Sequence, residues 1–471
     1  MYIIDKQLRK RSFWAEIGMK NDVWKNIELG DVLDSMNNFF FKRIFKPYQR
    51  YKRMLDKSQW WPENRLLTYQ RQLLFAVVKY AYKNIPYYRG LFQVYGLMPD
   101  RMFSVDNFYD LPIIDKSDVR KHTEEMISKG VLYPKFSVYS TNGTTGTPLK
   151  LHRDLYNKAF EQALHERQLE WAGLKSENKG ASLKGDYISP RKIDKGACWA
   201  YNFVEGRLNM SSLNLSPDNA GMYIDAMRYH GIEYLEGFPS SIYTLAKYVL
   251  ESKIDFALKA VLTTAETLDK KRSSVIEEAF RCRVFDYYRI AENVAAIHTC
   301  EFGRYHLIPE YSFMEFRPNE HLDSDYYEVI GTSFTNMAMP LIRYRTGDAV
   351  KPSTEKCPCG RSFPVVEHII GHFDDVIVTP SGRSVALLYH IFDDAQNLVE
   401  AQLYQPDKRH VVVRIVPDRY FRTRDGKRLL DKLQSRVGED IDFHIEVVSA
   451  IPKNSNGKFR RVISEVKQLD D

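Results

Sequence analysis

The sequence predicts a large α/β domain followed by a small α+β domain. Three observations carry this. From Ser140 onward, short β-rich runs alternate with helix-length segments, the pattern of an open sheet with crossover helices. After Gly371 the texture changes to strands and hairpins around one helix. The chain has 471 residues, 44% hydrophobic and 27% charged, enough for two or more domains that each bury a core. Those values exclude a generally disordered, collagenous or rod-like chain. The domains are expected at 1–370, with a basic helical extension over 1–60, and at 371–471.

The extension is distinct in charge. Residues 1–60 hold 13 Lys/Arg against 7 Asp/Glu and supply nearly all of the net +7. The remainder is close to neutral, unlike a general nucleic-acid binder. Phe39 to Leu55 holds six cations and no acid, and Phe41, Ile44, Phe45, Tyr48, Tyr51 and Leu55 recur at helical steps. Such a basic amphipathic helix either packs its stripe on the body or lies on an anionic membrane. Pro47 is expected to end or kink it.

The next elements follow from periodicity and punctuation. Glu63 to Tyr82 reads as a helix, with Leu66, Leu67, Leu73, Leu74, Val77 and Val78 on one broad face. Pro86 and Pro112 mark loop–helix pieces. A strand is expected at 136–139 and a helix from Asp154. Residues 231–250 read as strand, turn, helix, residues 257–265 as a buried strand, and residues 273–288 as helix then strand. In the last domain, 376–385, 400–418 and 441–452 read as strands or hairpins and 425–440 as a helix. Arg419 to Arg428, broken by Asp425, reads as a solvated hairpin rather than a nucleic-acid patch. No run is long enough to span a bilayer, and the N-terminus lacks the apolar stretch of a secretory signal. Five Cys without framework spacing agree with a cytoplasmic protein.

Four constellations bear on chemistry. Ser140 to Leu149, STNGTTGTPL, packs two Gly and five hydroxyl residues into ten positions between a strand and a helix. Glycines let the backbone curl around a ligand, and N–H groups and hydroxyls bind phosphate oxygens. No Gly-Lys-Ser/Thr closes it, so it is not a Walker loop. In MPLIRYRTGDAV, Asp348 at a tight Gly turn is either a turn-former or an acceptor for both hydroxyls of a ribose. In IPKNSNGKFRRV, Lys458 is either a solvated charge or a cation delivered to a reacting phosphate. Cys300, His306, Cys357 and Cys359 make a Cys₃His set of the kind zinc takes, or are four unrelated residues.

Together the first three motifs resemble the adenylate-forming ligase superfamily, most closely its phenylacetate–CoA ligase and CapK-type capsular polysaccharide branch. AYKNIPYYRGLF and FYDLPIIDKSDVR in the N-terminal part are similar to that branch too. The resemblance implies a large N-terminal domain and a mobile C-terminal domain with the active site between them. It implies a carboxylate joined to ATP, giving an acyl adenylate and pyrophosphate. The acyl group then passes to a nucleophile, usually the thiol of coenzyme A.

By position, Ser140, Thr141, Asn142, Gly143, Thr144, Thr145, Gly146 and Thr147 would hold the ATP phosphates, and Asp348 the ribose. Ala265 and Glu266 would pack against adenine and Tyr288 would stack on it. Glu292 would hold Mg²⁺, and Lys458 would bridge the carboxylate and the phosphate. Gly237, Phe238 and Pro239 match a turn near the acyl pocket. Two departures stand out. Arg289 and Ala291 replace the family's Gly and Ser/Thr, so Arg289 would reshape the acyl pocket or pair with an acidic substrate. Gly371-His372 replaces the usual Gly-Arg, leaving the hinge role to Asp374 or Asp375. Some members of the branch carry a structural zinc at positions like the Cys/His set.

The expected function is an AMP-forming ligase acting on a small-molecule or sugar-linked carboxylate in surface polysaccharide synthesis. The acceptor is coenzyme A or an amine or hydroxyl. Expected cofactors are ATP, Mg²⁺ and structural zinc. Peripheral membrane contact is expected through residues 39–55, and no nucleic acid. The competing expectation is a non-catalytic membrane-associated scaffold that keeps only the fold.

Overall fold

The computed structural model describes residues 42, 45–97, 108–130, 137–141, 149–184, 198–202, 205–319, 322–371, 377–381, 384–385, 390–393, 395, 397–452 and 460–466. Asn142 to Thr147, Lys458, His372, Asp374, Asp375, Phe41 and Ile44 lie outside the described residues.

Helices α1 (Lys46–Ser58), α2 (Glu63–Asn84), α3 (Pro86–Val94) and α4 (Lys116–Lys121) precede the hairpin β1 (Ser137–Thr141) and β2 (Leu149–Arg153). Lys42 is helical and Phe45 extended, so the stripe breaks beside Pro47 as expected, and Pro47 then opens α1, because a missing N–H and a fixed φ suit the first helical turn. Tyr48 and Leu55 are buried against Phe160, Ala163 and Leu164, and Tyr51 meets Phe160 edge-on at 5.2 Å. Lys42 reaches Glu166 at 2.7 Å, and Lys52 reaches Glu170 at 2.8 Å. The apolar stripe of the basic helix is thus packed on the body, while Lys46, Arg50, Arg53 and Lys57 face outward. On α2, Leu66, Leu74, Val77 and Val78 are buried as the periodicity predicts, and Leu67 is exposed.

Next come α5 (Leu155–Trp171), β3 (Gly180–Lys184), β4 (Trp199–Asn202), β5 (Arg207–Ser211), α6 (Ala220–His230), β6 (Tyr234–Gly237), α7 (Pro239–Glu251), β7 (Ala260–Thr264), α8 (Lys270–Phe280) and β8 (Arg283–Arg289). Asp154 caps α5 by accepting from Asn157 N at 2.7 Å, and Asp269 caps α8 in the same way. Strands β5, β3, β6, β7 and β8 are parallel neighbours. Helices α6, α7 and α8 bury Leu183, Leu235 and Val261 on one face. Leu169 and the residues just after α5 cover Tyr234, Leu262 and Tyr287 on the other. Burial on both faces explains why β7 reads Ala-Val-Leu-Thr-Thr without alternation.

The sheet continues through β9 (Ala296–Thr299), β10 (Tyr305–Leu307), β11 (Ser312–Arg317), β12 (Tyr327–Ser333), β13 (Tyr344–Ser353) and β14 (Val365–Ile370), all antiparallel. Its full order is β11-β12-β13-β14-β10-β9-β8-β7-β6-β3-β5-β4. The C-terminal part holds the hairpin β15 (Ile377–Val378) and β16 (Ser384–Val385), then α9 (His390–Asp393), β17 (Leu398–Gln405), β18 (His410–Pro417), α10 (Thr423–Val437), β19 (Asp442–Val447) and β20 (Val462–Ser464). Strands β19-β18-β17-β20 form a separate sheet, and Leu429, Leu433 and Val437 of α10 pack in its core. Arg419 to Arg428 is no hairpin: it opens α10, where the Asp425 carboxylate accepts from Arg422 N at 2.9 Å. Among the described residues no helix is long and apolar enough to cross a membrane.

Candidate active site

In open parallel sheets ligands collect at the carboxyl ends of the strands. Here the ends of β6, β7 and β8 carry most of the described candidate residues. A Cβ on Gly237 would sit 2.3 Å from the Leu183 carbonyl oxygen, so only glycine lets β6 close against β3 there. Phe238 is buried, and Pro239 opens α7. Ser240 donates from its backbone N at 3.0 Å and its Oγ at 3.1 Å to the Glu266 carboxylate. Glu266, expected beside adenine, therefore also closes the positive end of α7. Ala265 before it sits at φ +68°, a left-handed conformation that costs a non-glycine residue energy and recurs at ligand sites.

Tyr288 is the next-to-last residue of β8, and its hydroxyl donates to the Asp348 carboxylate at 2.6 Å. Burial, then the Asp348 charge, push this phenol well above its ordinary range, so it stays a donor. Asp348 does not sit in a terminal turn. Thr346, Gly347 and Asp348 form a bulge inside β13 opposite Val329, with Gly347 at φ +73°. Thr346 Oγ1 donates to the Val329 carbonyl at 2.8 Å and accepts from Asp348 N at 3.0 Å. The bulge turns the carboxylate toward Tyr288. A Cβ on Gly371 would lie 3.7 Å from Asp348 Oδ1 and 3.8 Å from Thr267 Oγ1, which places the β7–α8 loop and the end of β14 at the same spot. Glu292 follows three residues after Arg289, and its Oε1 accepts from the Tyr344 hydroxyl at 3.4 Å. Ser140 and Thr141 lie on β1 opposite Lys150 and Leu149.

Arg289 turns to the sheet face under α5 and pairs with Glu161 at 3.6 Å. Arg153 reaches the same carboxylate at 3.5 Å, and Tyr311 and Asn293 donate to it. Beside them stands a group that motif reading missed. Glu236, 1% exposed, accepts from Lys184 at 2.5 Å, Tyr287 at 2.6 Å and Arg207 at 2.7 Å, with His165 Nε2 at 3.1 Å. Burial pushes this carboxyl up, but Lys184, His165 and Arg207 outweigh it and hold it well below the ordinary range. The available signal was a lone acid in the apolar run Tyr-Leu-Glu-Gly-Phe.

On the opposite face, Asp286 accepts from Thr263 Oγ1 at 2.6 Å and the Tyr305 hydroxyl at 2.8 Å. Burial pushes it up to about 6 despite these donors.

Cys300 at the end of β9, His306 on β10, and Cys357 and Cys359 before β14 converge, with donor atoms all within 4.8 Å of one another. Cys300 Sγ lies 3.6 Å from Cys357 Sγ, and Cys359 Sγ lies 3.4 Å from His306 Nε2. A tetrahedral ion with bonds of ~2.3 Å to sulfur sets such edges near ~3.5–3.8 Å. His306 Nδ1 donates to the Phe363 carbonyl at 3.3 Å, which leaves Nε2 facing the thiols. The two leftover thiols, Cys198 and Cys282, are half-buried.

Residues 377–465 match the CapK C-terminal domain. Protein CapK of Staphylococcus aureus is 27% identical over 415 residues, covering 86% of this chain and 90% of its own. The phenylacetate-coenzyme A ligase of Thermus thermophilus is 23% identical over 444 residues, covering 85% and 97%. Among solved structures, a 2-hydroxyisobutyryl-CoA ligase in its postadenylation state, in complex with 2-HIB-AMP, superposes with a TM-score of 0.66 at 19% identity, over 87% of this chain and 93% of that one. The fold is that of the adenylate-forming CoA ligases. With that fold, the chain is similar in sequence to Protein CapK and to the phenylacetate-coenzyme A ligases.

Proposed function

We propose that the protein is an AMP-forming ligase. It joins a carboxylate to ATP, releases pyrophosphate, and passes the acyl group to coenzyme A or to an amine or hydroxyl acceptor in surface polysaccharide synthesis. The Tyr288–Asp348 pair beside Glu292, at the carboxyl ends of the parallel strands, carries this reading.

In it, Asp348 accepts the ribose hydroxyls while Tyr288 braces its second oxygen and offers a ring face to adenine. Ala265 and Glu266 border the base. Ser140 to Thr147 hold the phosphates. Glu292 is a half-buried carboxylate, a donor that suits Mg²⁺, whose charge would offset repulsion between the phosphates and the incoming acid. Gly237, Phe238, Pro239 and Arg289 border the acyl group. Residues 371–471 form the domain that brings Lys458 to the reacting oxygens. Cys300, His306, Cys357 and Cys359 would hold zinc with no open position, a structural site that ties β9–β10 to the approach to β14. The outward cations of α1, continuous with the exposed Trp60, form the surface that would meet an anionic membrane.

Pyrophosphate release across aryl, alkyl, amino and sugar acids, with and without coenzyme A, tests the activity. Release with no acid would leave the scaffold reading. Lys458→Ala should lower ATP–pyrophosphate exchange by ~10²-fold or more through kcat, since its charge is used in the transition state. Unchanged exchange would remove Lys458 from the mechanism. Elemental analysis should find about one zinc per chain, for a single four-ligand site. Cys357→Ser with Cys359→Ser should abolish it and lower the melting temperature.

A further inference from the structure

The face of the sheet under α5 carries more positive charge than its own acids balance. Among the described residues Lys184, Arg207, Arg289 and Arg153 gather around two carboxylates, Glu236 and Glu161. The two groups adjoin, since Tyr287 donates to Glu236 while the Arg289 guanidinium lies 6.0 Å from its ring centroid. His165 adds no charge at neutral pH, because burial outweighs Glu236 and lowers its pKa.

Two further facts point to a ligand. Glu236 is closed off at 1% exposure, whereas the side chains of Lys184, Arg207 and Arg289 keep 25%, 23% and 27% of their surface. The acid is thus the floor, and Lys184 and Arg289 line an opening above it. Their donors are also in surplus. Among the described residues the Arg289 guanidinium, which offers five N–H donors, faces only the Glu161 carboxylate, at 3.6 Å. An excess of cations in a sheltered site is costly unless an anion enters. Lys184 and Arg289 end β3 and β8, so the opening lies at the carboxyl ends of these strands, whereas Arg207 opens β5 and reaches Glu236 from the amino side. Arg289 directly follows Tyr288.

We propose that the carboxylic acid this protein activates carries a second anionic group, a carboxylate or a phosphate, which docks between Lys184 and Arg289. The proposal rests on the ligase reading for the first carboxyl, and adds that the substrate is at least dianionic. The second anion takes up the spare N–H donors, while the first carboxyl points past Tyr288 toward Glu292. Arg289 stands where the resembling ligases have glycine, so the same substitution that fills space supplies the charge.

The test compares matched acids in pyrophosphate release: isophthalate against benzoate, adipate against hexanoate, and 3-phosphoglycerate against glycerate. At least one dianion should exceed its partner in kcat/KM by roughly tenfold or more, as expected of charge-assisted bonds. Whether the diacids or the phosphorylated acid lead identifies the group. Lys184→Met and Arg289→Gly should erase the preference through KM, and Lys184→Arg should retain it. Calorimetric titration of the ATP-free protein with isophthalate and 3-phosphoglycerate gives a readout independent of catalysis, with binding weakened in Lys184→Met and by salt. Equal or better use of the monoanions would overturn the inference and leave the ligase standing. Absence of pyrophosphate with every acid would sink the ligase reading. In that case the absence of binding heat with both dianions would overturn the anion site as well.

Discussion

The parallel half of the sheet buries one carboxylate on each face, two strands apart. Under α5, Glu236 meets an ammonium, a guanidinium, an imidazole and a phenol. On the opposite face, Asp286 meets two hydroxyls and the Tyr287 backbone N–H. Both are almost wholly removed from water, yet their proton affinities move in opposite directions. Burial penalises the charged form in each; cations reverse that for one, and three neutral donors fail to reverse it for the other. A buried acid balanced by neutral donors holds strands together. One with more cations than it needs prepares a place for another anion.

The sharpest way to break this contrast is Glu236→Gln. It leaves Lys184 and Arg207 without their carboxylate, and urea unfolding should show a loss of ~3–5 kcal/mol, the usual cost of orphaning one side of a buried pair. Adding Lys184→Met should recover part of it, because the two sites are coupled. A loss under ~1 kcal/mol, the scale of exposed ion pairs, would mean that solvent already screens the group.

The pH dependence is the next largest effect, and its sign differs between the faces. The lowered pKa of Glu236 makes its contribution present above its unfolded value of 4.5 and lost as pH falls below it. The raised pKa of Asp286 makes its contribution fullest below its unfolded value of 3.8 and lost as pH rises toward about 6. Asp286→Asn should therefore gain on the wild type between pH 4 and 7, by up to ~2 kcal/mol at 1.36 kcal/mol per pKa unit. A flat difference across that range would place Asp286 in a polar setting.

The smallest effect is Asp286→Asn near pH 4. The acid is neutral there and the amide has nearly its shape, so thermal unfolding should agree within ~1 kcal/mol, one hydrogen bond's worth.

These residues also show what the sequence made legible. The Cys/His set was readable because each half is a short local turn with its own glycine, Gly303 and Gly360, both at positive φ. Tyr288, Glu292 and Asp348 were singled out by ordered strings that resemble known ligases, and Tyr288 and Asp348 do meet in the structure. The order of the elements followed from their periodicity. The Thr-Gly-Asp bulge was not readable, because a bulge exists only against a partner strand, and β12 lies in another part of the chain. The break at Pro47 was legible, since Lys42 is helical and Phe45 extended, but not that the proline would sit in the first turn of the helix that follows. The Glu236 group escaped because its members come from α5, β3, β5, β6 and β8, with no spacing to join them. Only the strand order makes them neighbours.

One feature of that order sets a schedule for the growing polypeptide. Strand β14 is the last of the twelve in the chain, yet it lies between β10 and β13 in the interior of the sheet. Until residue 370 has left the ribosome, the ribbon of β11, β12 and β13 has no edge-to-edge link to the rest, and two open edges face solvent or a chaperone. The Cys/His cluster brackets this moment, since Cys300 and His306 flank the waiting edge and Cys357 and Cys359 arrive just ahead of the closing strand. Translation then delivers the C-terminal domain onto a sheet that has only just become continuous. A nascent chain arrested before residue 365 should be far more open to protease than one released a few residues later.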